Sequence, residues 1–129
     1  DKNNKSVVYS SDCEHTETAH EDGYPFIEFF NNADLLIFDA MYSLATASIM
    51  KVNWGHSNNF MGVKLAAKAH VKHLTLFHHE PTSDDSILDQ FLFNTTTYAQ
   101  VYHAERKSKN NDRYPQVISL ARDGLILDV

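Results

Sequence analysis

The alternation of strand-like and helix-like segments is the strongest constraint on how this 129-residue chain folds. Short apolar runs typical of strands alternate with segments whose apolar residues recur at helical spacing, and Asp123–Gly124 joins the last two runs as in a tight hairpin. The predicted strands are 6–12, 35–42, 73–79 and the two arms of 116–129, and the predicted helices are 26–33, 59–71 and a long helix capped by Ser83. Strands that alternate with helices predict a mixed α/β domain in which at least part of the sheet is parallel.

Composition and charge exclude several classes of protein. A hydrophobic fraction of 43% and an aromatic fraction of 12% are typical of an ordinary globular protein, and 129 residues fit one domain. No apolar run is long enough to span a bilayer, no stretch has the order of a secretory signal, and the single cysteine, Cys13, has no internal disulfide partner. We therefore expect a cytoplasmic protein. The net charge of −6 disfavours sequence-independent binding to nucleic acid, which depends on lysine and arginine.

Polar residues end three of the predicted strands, and a histidine lies in the loop before a predicted helix. Asp12, Asp39 and His78 are the strand-end residues, and His56 is the loop residue. Ligands of open α/β sheets bind outside the carboxyl ends of the strands, so these four side chains are candidates for one site. Taken singly, each is better explained by a structural role, because an aspartate after a strand commonly forms a turn and one histidine of the pair His78–His79 could be buried and hydrogen-bonded. Structural roles are assigned to the other histidines, which are His15, His20, His70, His73 and His103.

Four motifs in combination resemble a known superfamily. YSSDCEH, LLIFDAMY, NWGHSNN and LTLFHHEP occur in the order and spacing of the carboxyl-terminal half of the metallo-β-lactamase superfamily, in the branch that includes cyclic-phosphate hydrolases and ribonuclease Z. The resemblance covers residues 6–129. It implies that residues 1–129 form a single domain, half of a four-layer αββα sandwich, with a sheet covered by helices on one face and a hairpin at the end. The amino-terminal half of such a sandwich is absent from this sequence.

The resemblance assigns a role to each of the four candidate residues. It implies that Asp12 bridges two divalent metal ions, zinc or manganese, and that His78 is the last metal ligand, with His79 a poorer candidate. It also implies that Asp39 and His56 form the acid–histidine pair that protonates a leaving oxygen. The residue types suit this chemistry, since paired metal ions activate water near neutral pH and an aspartate holds a histidine in one tautomer. The main metal motif of the superfamily, HxHxDH, does not occur in this sequence, so we expect an incomplete metal site.

The function implied by the resemblance is that of a fragment of a larger enzyme. The intact enzyme would be a dinuclear metal-dependent hydrolase of phosphodiesters, such as small cyclic phosphates or nucleotides, and this chain would be inactive or weakly active alone. The expected partners are the small substrate and, on the exposed sheet face, either the missing half or a second copy of the chain. No membrane partner is expected. Whether the chain itself is an enzyme stays open.

Two non-catalytic functions remain as alternatives. Aspartates at successive strand ends also suit a receiver-like regulatory module, in which an acidic pocket holds magnesium and accepts a phosphoryl group. No lysine suited to such a pocket ends a late strand, and the closing hairpin does not fit a doubly wound domain. The other alternative is a degenerate metallo-β-lactamase-like domain that serves dimerisation or partner binding.

Overall fold

A computed structural model describes residues 4–16, 19, 21–43, 54–106 and 113–129 of the chain. Strands and helices alternate through these residues, as the sequence predicts. The strands are β1 Val7–Ser10, β2 Leu35–Asp39, β3 His73–Phe77 and β4 Val117–Leu120. The helices are α1 Pro25–Phe29, α2 Asn59–Lys68 and α3 Asp85–Glu105. Within the described residues, none of these helices is both long enough and apolar enough to cross a membrane.

The four strands form one parallel sheet in the order β1-β2-β3-β4. Parallel strands that follow one another in chain order are joined by right-handed crossovers, which place all the connecting helices on the same face of the sheet. Helix α2 packs on β2 and β3 and contacts both α1 and α3, and α3 in turn contacts β4. The predicted mixed α/β architecture with helices on one face is therefore confirmed.

The core lies between the sheet and the helix layer. Its fully buried side chains include Phe38 of β2, Leu76 of β3 and Leu65 of α2. Gly62 allows α2 to approach the sheet closely, because a Cβ atom at this position would lie only 2.9 Å from Cδ1 of Phe38. This close packing brings the start of α2, and the loop that precedes it, to the carboxyl end of β2.

Among the described residues, no helix covers the opposite face of the sheet, which is called the open face below. Side chains alternate between the two faces of a strand, so the neighbours of the core residues point away from the helices. Val7, Tyr9 and Val117 are more than half exposed on this face, and the ring of Tyr9 lies 5.2 Å from that of Phe77. Parallel sheets are normally covered on both faces, so this apolar surface is unusual for a free domain.

Side-chain caps determine where the two longer helices begin. Asn58 Oδ1 accepts a hydrogen bond from Met61 N at 2.9 Å at the start of α2. Asp84 Oδ1 accepts one from Ile87 N at 2.9 Å at the start of α3, and this bond is the main cause that holds the pKa of Asp84 below its usual range. The prediction that Ser83 caps α3 is wrong, because Asp84 has the extended backbone of a cap and its carboxylate reaches the free N–H group.

The closing hairpin does not form in the described residues. A turn is present, since Leu125 N donates to Arg122 O at 3.1 Å and Gly124 has a φ of 78°, but residues 121–129 contain no strand. Two-residue hairpins favour turns in which both central residues have positive φ, and here Gly124 has positive φ while Asp123 does not. Such a turn matches the twist of two paired strands poorly, so it does not favour a strand that returns beside β4. Ile126 beyond it is 87% exposed and gains no burial that would favour a returning strand.

Candidate functional site

Three of the four candidate residues lie at the carboxyl ends of adjacent parallel strands. Asp39 is the last residue of β2, while Asp12 and His78 follow β1 and β3 in the left-handed backbone region, with φ values of 41° and 63°. The predicted strands are therefore longer than the observed ones, because the chain turns sharply at these residues. Non-glycine residues rarely adopt positive φ, and such strain persists where the surrounding structure holds it, often at functional sites.

The fourth residue, His56, reaches the same edge of the sheet from the loop before α2. Gly55 has a φ of 85°, which turns the chain just before His56. A bridge between Tyr42 and Asn58 holds the end of this loop beside the segment that follows β2. As a result, His56 Nδ1 lies 2.7 Å from Oδ2 of Asp39.

All four predicted site residues converge. Each offers one potential ligand atom, and these atoms lie within 4.8 Å of one another. His78 Nδ1 is 3.1 Å from Asp12 Oδ1 and 3.8 Å from Asp39 Oδ1, and the rings of His56 and His78 meet nearly perpendicularly with centroids 4.5 Å apart. His79 points elsewhere and contacts the Ala121 carbonyl through Nε2 at 3.2 Å. The cluster is the set of groups that the resemblance singled out.

Within the part of the chain that the structure describes, two buried atoms of the cluster have no hydrogen-bond partner, namely Asp39 Oδ1 and His78 Nδ1. His78 Nδ1 is close to Asp12 Oδ1, but the two atoms are not aligned as a hydrogen bond. Buried polar atoms are almost always satisfied, so two orphaned atoms that face each other call for a missing partner. Carboxylate oxygen and imidazole nitrogen are ligands of divalent cations such as zinc. The residues present therefore fit a metal ion.

Burial and nearby negative charge raise the pKa values of two groups beside the cluster. Burial raises the pKa of the Cys13 thiol, and the charge of Asp39 raises it further. The pKa of the Tyr42 hydroxyl is raised mainly by burial and then by the negative charges of Glu80, Asp39 and Glu14. A thiol with a raised pKa stays protonated at neutral pH, so Cys13 is a poor nucleophile and a poor metal ligand here.

Hydrogen bonds between two loops support the cluster, and they were not predicted from the sequence. Ser57 Oγ accepts from His15 N at 2.8 Å and donates to the Cys13 carbonyl at 2.7 Å. Gly55 N donates to Glu14 Oε2 at 3.0 Å. The only sequence signal for these contacts is a small hydroxyl residue directly after His56, which is too common in loops to be specific.

The other described histidines lie outside the cluster. The ring of His15 is buried against Phe38, with centroids 5.4 Å apart, and burial lowers its pKa to about 4. His73 Nε2 hydrogen-bonds with Ser119 Oγ at 2.8 Å on the open sheet face. His70 packs against the Tyr114 ring and His103 hydrogen-bonds with the Tyr114 carbonyl, while His20 lies outside the described residues.

The fold defines the class of protein. The structure superimposes on the metallo-β-lactamase fold protein YhfI from Bacillus subtilis with a TM-score of 0.62 and 21% sequence identity, over 95% of this chain and 39% of that one. The chain thus has part of a metallo-β-lactamase fold, as the four motifs predict. No protein-family model matches the sequence.

Two relatives in sequence indicate which proteins of this fold the chain resembles. The chain is 40% identical over 76 residues to proteins named ribonuclease Z from Prochlorococcus marinus strains NATL1A and NATL2A. The match covers 59% of this chain and 22% of each relative, so the chain spans about a fifth of their length. The predicted resemblance to ribonuclease Z-like proteins of the metallo-β-lactamase fold is confirmed.

Proposed function

We propose that this chain is part of a metal-dependent hydrolase that cleaves phosphodiesters, with two divalent metal ions in the intact enzyme. The observation that carries the proposal is the convergence of Asp12, Asp39, His56 and His78, with two buried atoms left unpartnered between them. The name ribonuclease Z of the sequence relatives supports phosphodiesters as the substrate class. The net charge of −6 favours a small substrate, such as a cyclic phosphate or a nucleotide, over a polynucleotide.

Asp12 and His78 are the residues that would hold metal. Their oxygen and nitrogen atoms suit zinc or manganese, and both lie at the exposed rim of the cluster. When bound, paired metal ions polarise a phosphoryl group and lower the pKa of bound water. Two ligands are fewer than the three or four typical of tight zinc binding, so the remaining ligands would come from a segment with the HxHxDH motif. The chain alone would then be inactive or weakly active.

Asp39 and His56 are the residues that would move a proton. Asp39 is 1% exposed, and its Oδ2 accepts a hydrogen bond from His56 when the proton is on Nδ1. This contact fixes the tautomer and the orientation of the ring, and a carboxylate in this place can stabilise the positive charge of an imidazolium when one forms. Nε2 of His56 can then donate its proton to the leaving oxygen as a general acid.

The open sheet face is the surface on which the rest of the enzyme would pack. A second sheet laid on Val7, Tyr9, Phe77 and Val117 would complete the covered sandwich that this fold requires. A second copy of the chain is the other candidate occupant. A cytoplasmic location and a dimeric state belong to this proposal as well.

Of the two non-catalytic alternatives, a receiver-like module does not fit the observed topology. A degenerate metallo-β-lactamase-like domain fits the topology and is distinguished from this proposal by measuring metal binding and turnover. A doubly wound receiver carries helices on both faces of its sheet, and the described helices here lie on one face. A degenerate domain would keep the fold and lack both metal binding and turnover.

The test uses the intact protein and two alanine variants. Asp12→Ala should lower the metal content measured by elemental analysis, because a ligand is lost. His56→Ala should lower the turnover of a phosphodiester such as bis-p-nitrophenyl phosphate and leave the metal content unchanged. Unchanged turnover in His56→Ala would refute the proton-transfer role, and a wild-type protein without metal and turnover would support the degenerate alternative.

A further inference from the structure

A single buried hydroxyl connects the two loops that carry Asp12 and His56. Ser57 is 2% exposed, and its Oγ accepts a hydrogen bond from His15 N at 2.8 Å while donating one to the Cys13 carbonyl at 2.7 Å. The two bonds join positions that are 42 and 44 residues apart in the chain. One side chain thus satisfies a donor and an acceptor of the same distant loop.

The hydrogen bonds of Ser57 do not cap helix α2. The cap of α2 is Asn58, whose side chain accepts from Met61 N at 2.9 Å. The Ser57 hydroxyl is therefore left for contacts between loops. Gly55 N adds a further contact to Glu14 Oε2 at 3.0 Å, so residues 13–15 and 55–57 are joined at three points.

Neither of the two loops lies in a strand at its site residue, Asp12 or His56. Asp12 lies two residues beyond β1, its side chain is 67% exposed, and its backbone has a φ of 41°. His56 lies in a loop between β2 and α2. Residues on loops hold a site geometry only when surrounding hydrogen bonds restrict them.

We propose that Ser57 is a positioning residue that sets the separation between the Asp12 loop and the His56 loop. The inference rests on the proposed function only in taking Asp12 and His56 as site residues. Without the hydroxyl, His15 N and the Cys13 carbonyl lose their partner in a buried place, and the two loops can move apart. Small displacements of catalytic groups have large effects on rate, which is why such a contact matters for function.

The first experiment uses the metal-free chain and nuclear magnetic resonance. Wild type is compared with Ser57→Ala, with Ser57→Thr, which keeps a hydroxyl, and with Ser119→Ala. Ser119 is a matched control because its hydroxyl also makes two side-chain hydrogen bonds, to His73 and Thr75, on β4. The readout is the exchange rate with water of the His56 Nδ1 proton that Asp39 binds, with backbone amides of β2 and β3 as a measure of the fold.

Ser57→Ala should exchange the His56 proton at least about tenfold faster, as expected from the loss of the two hydrogen bonds of the hydroxyl, while the amides of β2 and β3 stay protected. Ser57→Thr should restore the wild-type rate, and Ser119→Ala should leave it unchanged. An unchanged rate in Ser57→Ala, or an equal increase in Ser119→Ala, would overturn the proposal. If Ser57→Ala does not fold, Ser57→Cys replaces it, since the thiol keeps the volume but is a weak donor and acceptor. Loss of the fold in both variants would also overturn the proposal, because Ser57 would then be a purely structural residue.

A second experiment separates this inference from the proposed function. In the intact protein, Ser57→Ala should weaken metal affinity or turnover about 10- to 100-fold, as is typical when a group that orients a ligand is removed, and Ser57→Thr should rescue it. If the intact wild type has no phosphodiesterase activity, the proposed function fails, while the proton-exchange comparison still decides the role of Ser57.

Discussion

The carboxylate of Asp39 and the imidazole of His56 are joined by a 2.7 Å contact across 17 positions of the chain. Asp39 is buried at the end of a central strand, whereas the His56 side chain is 19% exposed. The sheet therefore holds the Asp39 carboxylate in place, and this carboxylate orients the ring of His56, which is still in contact with solvent. This is the arrangement that a general acid requires, because one ring nitrogen must be held and the other must face the substrate.

Replacing Asp39 by asparagine should impair this pair without removing the fold. Asparagine keeps the volume but cannot stabilise the imidazolium, and it can impose the wrong tautomer on His56. Since general acid–base catalysis contributes about 10²- to 10⁴-fold, we expect turnover of the intact protein to fall by about 10²-fold or more. Steady-state kinetics across pH 5–9 are the measurement, and the metal content should stay at the wild-type level.

Asp22→Asn is the control for the loss of a negative charge. Asp22 is fully exposed and pairs with Lys68 at 3.0 Å on the surface, so its replacement should change turnover less than twofold. A large loss of bound metal in Asp39→Asn would contradict the assignment, because Asp39 would then hold metal through Oδ1 in addition to contacting His56 through Oδ2.

Most of the elements, and the convergence of the four candidate residues, could be predicted from the sequence, because both depend on patterns along each segment. Apolar periodicity indicates strands and helices, and polar residues at parallel strand ends must meet at one edge of the sheet. Asp12, Asp39 and His78 follow from that rule. His56 follows from the combination of motifs that resembles the superfamily.

Features that depend on backbone angles or on distant contacts could not be predicted. The Asp123–Gly124 dipeptide is common in hairpins, but its turn type depends on the φ of Asp123, which the sequence does not specify. Both Ser83 and Asp84 are good caps, and geometry alone selects Asp84. The contacts of Ser57 join loops more than 40 residues apart, and no local pattern encodes them.

Gly62→Ala should destabilise the domain by overpacking. The added Cβ would lie 2.9 Å from Cδ1 of Phe38 and 3.4 Å from Cδ2 of Leu76, two fully buried side chains. Overpacking of a core costs roughly 1–3 kcal/mol, while alanine gains about 1 kcal/mol over glycine in a helix, so we expect a net loss of about 1 kcal/mol. Urea unfolding followed by circular dichroism measures the change.

A double-mutant cycle identifies the cause of that loss. Phe38→Leu makes room beside position 62, so the free energies of unfolding of the two single variants should not add in the double variant. In the Phe38→Leu background, Gly62→Ala should lower the free energy of unfolding less than it does in the wild type, or should raise it. Strict additivity would show that the close contact between α2 and β2 is not the source of the effect.

Acid should destabilise the domain through His15. Burial lowers the pKa of His15 to about 4 from an ordinary value of 6.5, so the unfolded chain binds a proton between these two pH values and the folded chain does not. The neutral ring contributes its full stability above pH 6.5, and this contribution decreases as the pH falls towards 4. The shift corresponds to at most roughly 3 kcal/mol. Urea unfolding between pH 4.5 and pH 7.5 should reveal it.

His15→Phe should reduce this pH dependence, because phenylalanine fills a similar aromatic space beside Phe38 and does not titrate. Burial also lowers the pKa values of His73 and His79, so part of the slope should remain. His70→Gln, at an exposed position, is the control and should leave the slope unchanged. Equal slopes in wild type and His15→Phe would show that His15 is not held neutral by burial.

Self-association of the chain through the open sheet face should depend on the apolar side chains of that face. Tyr9 is 60% exposed on β1 and contacts Phe77, so a lysine at position 9 would place a charge in any sheet-to-sheet contact. The wild-type chain should self-associate in sedimentation velocity experiments at micromolar concentration, and Tyr9→Lys should weaken this association at least about tenfold, as expected for burying an unpaired charge.

Phe93→Lys is the matched control for that comparison, because Phe93 is 64% exposed on α3, in the layer on the other side of the sheet. It should leave the association of the chain unchanged, since the open face is not altered. If both lysine variants dissociate the chain equally, the contact is not specific to the open face. A wild-type chain that stays a well-folded monomer at every concentration would contradict self-association outright, and the amino-terminal half would then be the remaining candidate to cover this face.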